Sequence, residues 1–196
     1  MVDYAYVHIW DTLVGVVHWT NQQIANFQFD KNFLNKKWDI APIKMPISNG
    51  DRIYSFPDLM PSKDNEDDTF KGLPGLLADS LPDKYGNQLI EVWLAQNGRP
   101  PKSMNPVEKL CFIGSRGMGA LEFEPAQLKT NKYTFAIEIK SLVDIAKKML
   151  SERKSFKTNI SVDDQQAMKN ILKIGTSAGG ARPKAVIAFN KKTKEV

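Results

Sequence analysis

From Asp3 to Trp10 the chain alternates, with Ala5, Val7 and Ile9 on one side of an extended backbone and Tyr4, Tyr6, His8 and Trp10 on the other. Side chains of a strand point to opposite faces in turn, so this alternation predicts a strand buried on one face only. A turn is expected to begin at Asp11-Thr12. Residues 14–19 and 24–29 are two further runs rich in β-branched and aromatic residues at short spacing, which predicts an antiparallel meander. Between residues 42 and 61 the frequent Pro, Asn and Gly predict extended pieces and turns.

In the middle third the period changes. Phe70, Leu73, Leu76, Leu77 and Leu81 recur three and four apart and predict a helix with one apolar face. Ser80 is placed to cap a second helix with Pro82 early and Asp83 in its first turn; Leu89, Ile90, Trp93 and Leu94 form its buried stripe and Asn97-Gly98 ends it. Asn105-Pro106 repeats the start signal for a short helix to about Ile113, and the glycine turn over 114–119 feeds a strand over 120–123. Farther on, Ile139, Leu142, Val143, Ala146, Met149 and Leu150 mark an amphipathic helix with Lys140, Lys147 and Lys148 opposite. The run Ser161-Val162-Asp163-Asp164 opens a helix bearing Ala167, Met168, Ile171 and Leu172. Strands followed by helices predict an α+β fold. Its first part is an antiparallel β-rich subdomain with helices over residues 1–125, and the polar crossing over 125–133 marks the boundary with a second part over 126–196.

Composition narrows the picture. The 196 residues are 42% hydrophobic and 25% charged, the balance of a globular chain rather than a disordered one. No apolar run approaches the ~20 residues of a membrane span, and the N-terminus lacks the basic start and apolar core of a signal peptide, so a cytoplasmic protein without a membrane partner is expected. Cys111 is the single cysteine; set between Leu110 and Phe112, it reads as a buried structural thiol and excludes an internal disulfide. The net charge of +5 comes mostly from the last third, where it fits either a solvated helix face or attraction to phosphates. No aromatic residues are interleaved with these cations as a nucleic-acid site would have them. His8 and His18 lack a partner Cys or spaced carboxylate and read as structural, and Asp79 and Asp83 read as caps or ion-pair partners. The acidic run 63–68 does not make a calcium loop, since Thr69 stands where Gly is needed and Gly75 where Glu is needed.

The densest chemistry lies in Gly175-Thr176-Ser177-Ala178-Gly179-Gly180-Ala181-Arg182-Pro183-Lys184, ahead of the apolar run 185–189. Adjacent glycines leave no Cβ over the peptide N–H groups, and Arg182 and Lys184 add cations, so the loop has what a polyphosphate requires. A helix C-cap leading into a strand would place glycines in the same way. It is not a P-loop, because Ala181-Arg182 follows Gly180 where Lys-Ser/Thr is needed, and Gly-x-Gly-x-x-Gly is absent.

This run resembles the loop of HipA-type toxin serine/threonine kinases. The runs Leu76-Leu77-Ala78-Asp79-Ser80-Leu81-Pro82-Asp83-Lys84-Tyr85-Gly86 and Phe112-Ile113-Gly114-Ser115-Arg116-Gly117-Met118-Gly119-Ala120-Leu121 resemble two more signatures of that family, in the same order. The resemblance implies that residues 126–196 begin a kinase-like core. In it Gly179, Gly180, Ala181, Arg182, Pro183 and Lys184 bind the phosphates of ATP with Mg²⁺, and Ser177 is the serine that such kinases autophosphorylate. It also implies a protein substrate and a HipB-like DNA-binding antitoxin as partner, with DNA reached only through that antitoxin. Neither a His-x-Asp-x-x-x-x-Asn-like nor an Asp-Phe-Gly-like run occurs in the 196 residues, so the chain is expected to be a truncated portion, inactive alone and without catalytic or metal-binding residues of its own. A stand-alone module that regulates a separate kinase subunit, and a basic nucleic-acid-binding domain, remain as alternative readings.

Overall fold

The computed structural model describes residues 2–60, 69–125 and 190–193. They fall into two compact units: residues 2–60, 69–81 and 104–125 form the first, and 82–103 with 190–193 belong to the second.

The first unit is built on a five-stranded antiparallel sheet. Its strands are β1 (Tyr4–Ile9), β2 (Thr12–Trp19), β3 (Ala25–Phe29), β4 (Tyr54–Ser55) and β5 (Leu121–Glu124), in the spatial order β4-β3-β2-β1-β5. The predicted meander is therefore present, with β5 placed beside β1, and the fold is α+β. The first turn consists of Trp10-Asp11 rather than Asp11-Thr12. Both residues have positive φ (47° and 59°), the paired left-handed geometry whose twist matches that of two flanking strands, and this lets Thr12 and Leu13 join β2. The register slips between Val7 and His8, opposite Val14, and the alternation resumes beyond it.

One face of the sheet is buried. Ala5, Val7 and Ile9 from β1, Val17 from β2, Phe27 and Phe29 from β3, and Leu121 and Phe123 from β5 join a single core. Helix α4 (Pro106–Ile113) packs against β1, β2 and β5 and inserts Val107, Leu110 and Cys111 into that core. Its start is the predicted one: Asn105 Oδ1 accepts the Glu108 N–H at 2.7 Å, satisfying a helix-end donor that has no backbone partner. A short helix that the hydrophobic pattern does not show, α1 (Lys31–Asn35), follows β3 directly. Asp30 Oδ1 caps it by accepting from Asn32 N (2.8 Å) and Phe33 N (3.2 Å), which turns the buried Phe33 ring parallel to Phe29, centroids 5.8 Å apart.

The apolar residues from Phe70 to Leu81 do not make one helix. Gly72 has φ +77° and Pro74 has no N–H to donate, so helical hydrogen bonding begins only at the Pro74 carbonyl, which accepts from Leu77 and Ala78, and α2 is the single turn Gly75–Ala78. Leu73 and Leu77 still reach the core.

Helix α3 (Lys84–Gln96) belongs to the second unit. Its cap is Asp83 rather than Ser80: Asp83 Oδ1 accepts the Gly86 N–H at 2.8 Å, while the Ser80 N–H goes to the Leu77 carbonyl at 3.0 Å. Leu89, Ile90 and Leu94 are buried as predicted, joined by Tyr85 and Val92, whereas Trp93 is only half-buried; Asn97 with Gly98 at φ +66° ends the helix. No helix among the described residues is long and apolar enough to cross a membrane.

Candidate functional site

The proposed phosphate-binding residues Gly179, Gly180, Ala181, Arg182, Pro183 and Lys184, together with Ser177, lie outside the described residues. The other two signature runs lie within them, and their geometry can be built residue by residue.

In the run from Phe112 to Leu121 the first two residues end α4 in the core, both essentially without solvent exposure. Gly114 then takes φ 59°, ψ −122°, a conformation that a side chain would strain, and its N–H closes on the Leu110 carbonyl at 2.9 Å. Arg116 folds back over this turn. Its backbone N–H donates to the Ile113 carbonyl at 3.1 Å, its guanidinium donates to the Phe112 carbonyl, and the charge lies 5.4 Å from the centre of the Phe112 ring. Desolvation by burial lowers the guanidinium to about 10, and its second terminal nitrogen is buried without an acceptor among the described residues. This is a packing turn tied to its own helix, and strand β5 rather than a helix N-terminus follows directly on it. Cys111, on the buried side of the same helix, is a structural thiol: burial first, and the buried Glu108 second, push it up to about 12, far from the thiolate needed for nucleophilic chemistry.

The run from Leu76 to Gly86 divides its residues between packing and surface. Leu77 and Ala78 enter the core, whereas Asp79 stays exposed on the rim of a groove of about 490 Å³. The groove's walls are the loop through Ile43 and Met45, the segment from Phe56 to Leu59, and the stretch from Phe70 to Leu76. Its lining is mostly apolar, with Lys44, Asp58 and Asp79 as the charged groups around it. A cleft of this size holds small ligands or one or two side chains of a partner, and two carboxylates at its edge favour cationic groups there. Ile43, which lines the groove, is a large apolar side chain left 88% exposed.

The two histidines lie on the solvated face of the sheet, His8 opposite Leu13 in the register and His18 opposite Tyr4. Among the described residues no three His, Cys, Asp or Glu side chains gather closely enough to hold a metal ion.

No curated protein matches the chain. Residues 5–124 match the HipA N-terminal domain family, a span that takes in all of the sheet but Tyr4, α1 to α4, the groove and both described signature runs, and the chain belongs to that family.

Proposed function

We propose that this chain supplies the N-terminal part of a HipA-type serine/threonine protein kinase of a toxin–antitoxin pair. The observation that carries the reading is the family match over residues 5–124, followed in the same chain by the run Ser177-Ala178-Gly179-Gly180-Ala181-Arg182-Pro183-Lys184. In this reading the first unit is a scaffold and docking domain that associates with a HipB-like DNA-binding antitoxin. The backbone N–H groups of Gly179, Gly180 and Ala181 surround the ATP phosphates, and Arg182 and Lys184 neutralise them beside Mg²⁺. Phosphorylating Ser177 adds roughly −1.5 to −2 charges. Arg182 and Lys184 then pair with the loop's own phosphate, and the nucleotide loses its receptor.

ATP titration of the kinase containing this chain tests the assignment. Lys184→Ala is expected to weaken ATP binding tenfold or more. Arg116→Ala, whose guanidinium is engaged with Phe112, is expected to change it by less than threefold. Equal losses in two variants that both remain folded by circular dichroism overturn the loop assignment. Mass spectrometry of the active enzyme is expected to find phosphate on Ser177, and Ser177→Asp to lower activity; neither result holds if Ser177 is only a turn residue.

A further inference from the structure

The solvated face of the sheet is unlike the rest of this protein. The chain contains 27 Lys and Arg residues, yet none of the five strands contains one. The register sets out what this face carries instead. One cross-strand row runs Asn26, His18, Tyr4, and the next runs Gln28, Val16, Tyr6, Glu124; His8 is paired with Glu122 beyond them. Tyr4 and Tyr6 are 50% and 43% exposed although they sit on a strand with neighbours on both sides, and their rings meet edge to face at 5.9 Å. Glu122 and Glu124 are exposed next to them on β5. The face is therefore a pair of tyrosines bordered by carboxylates, on a protein whose net charge is +5.

That chemistry selects the occupant. Nucleic acid and anionic lipid surfaces are bound through cations, and the strands that form this face carry no Lys or Arg, only His8 and His18 as basic side chains. An aromatic ring with adjacent carboxylates is the environment that takes a guanidinium, whose flat faces stack on tyrosine and whose N–H fork matches a carboxylate. Interface cores are enriched in Tyr and depleted in Lys, as this face is. Strand addition at β5 is not the mode of binding, because along that edge the Phe123 N–H is already taken by the Gly114 carbonyl at 3.2 Å. We propose that the outer face of the sheet, centred on Tyr4 and Tyr6 and bounded by Glu122 and Glu124, is a docking surface for an arginine-bearing segment of a partner protein.

The test titrates the isotopically labelled full chain with hexa-arginine amide and follows backbone amide resonances, with hexa-lysine amide in parallel. Saturable shifts are expected at Tyr4, Tyr6, Glu122 and Glu124. Binding should weaken at least fivefold in a Glu122→Gln, Glu124→Gln variant, and hexa-lysine should bind several-fold more weakly than hexa-arginine. Tyr6→Thr, which keeps a strand-forming residue, should remove most of that preference for arginine. Shifts centred on Asp58 and Asp79 at the groove, shifts spread evenly over all surface carboxylates, or unchanged affinity in the glutamine variant would each overturn the proposal. Because the readout needs neither ATP nor an antitoxin, its outcome is independent of the kinase reading.

Discussion

Asn105 ties the first residues of the chain to the start of α4, and replacing it should cost more than its half-exposed position suggests. Its Oδ1 accepts the Glu108 N–H at 2.7 Å, while its Nδ2 donates to the Val2 carbonyl and to Asp3 Oδ1, both at 3.0 Å and across more than a hundred residues of chain. Losing an N-cap of this kind costs about 1 kcal/mol, in a range of roughly 0.5–2. The partly buried bond to the Val2 carbonyl contributes about 1 kcal/mol more, and the exposed contact with Asp3 adds little. Asn105→Ala is therefore expected to lose about 2 kcal/mol. Asn105→Ser keeps the cap acceptor without the long-range donor and should lose about half as much. With a urea dependence of roughly 1–3 kcal/mol per molar, the midpoint of the Ala variant should fall by about 1 M and that of the Ser variant by visibly less. Equal midpoints for Ala and Ser would show that the cap contributes nothing. An Ala midpoint within error of the parent would refute the whole account of this residue.

Three further predictions concern the same unit. A Cβ at Gly15 would lie 2.2 Å from the Gln28 carbonyl oxygen and 3.0 Å from the Phe29 Cα, backbone atoms of the neighbouring strand that cannot rotate away, so Gly15→Ala should destabilise by about 3 kcal/mol in thermal or urea melts. Trp10 and Asp11 hold left-handed angles that Asn-Gly adopts at less cost, so the double change Trp10→Asn, Asp11→Gly should raise stability by about 1 kcal/mol, measured by the same melts. Cys111 ionises near 12 in the folded protein against an ordinary value of 9.0, so the folded state favours the neutral thiol; that stabilisation is complete below pH 9 and is lost as pH rises from 9 toward 12. Cys111→Ala should flatten the fall in stability over this window, and the native thiol should stay unreactive toward a disulfide reagent at pH 8 until the protein is unfolded.

The parts of the fold that the sequence made legible are those where one local rule acts alone. Strand β1 follows from period-two alternation, β2 and β3 from runs of β-branched and aromatic residues at short spacing, and α4 from the Asn105-Pro106 start. Leucine spacing predicts a longer helix than α2 because it suits either a helix or a folded loop, and the conformations of Gly72 and Pro74 decide between them. Helix α1 and strand β4, at five and two residues, are too short to show a period at all. The groove was illegible for a different reason: its walls come from three separated segments, each unremarkable by itself, and only their packing makes a cleft of them. The third signature run was legible as chemistry, and its place in the fold lies outside the described residues.

Because β5 pairs with β1, the sheet cannot be completed until the ribosome has released residue 124, long after the first hairpin has emerged. Closing so long a loop is a late step. Until it happens, the flank of β1 that β5 will occupy offers unpaired N–H and C=O groups beside the future core residues Ala5, Val7 and Ile9. Any fragment cut between β3 and β5 keeps that flank open permanently and should aggregate, whereas one ending just past residue 125 carries all five strands.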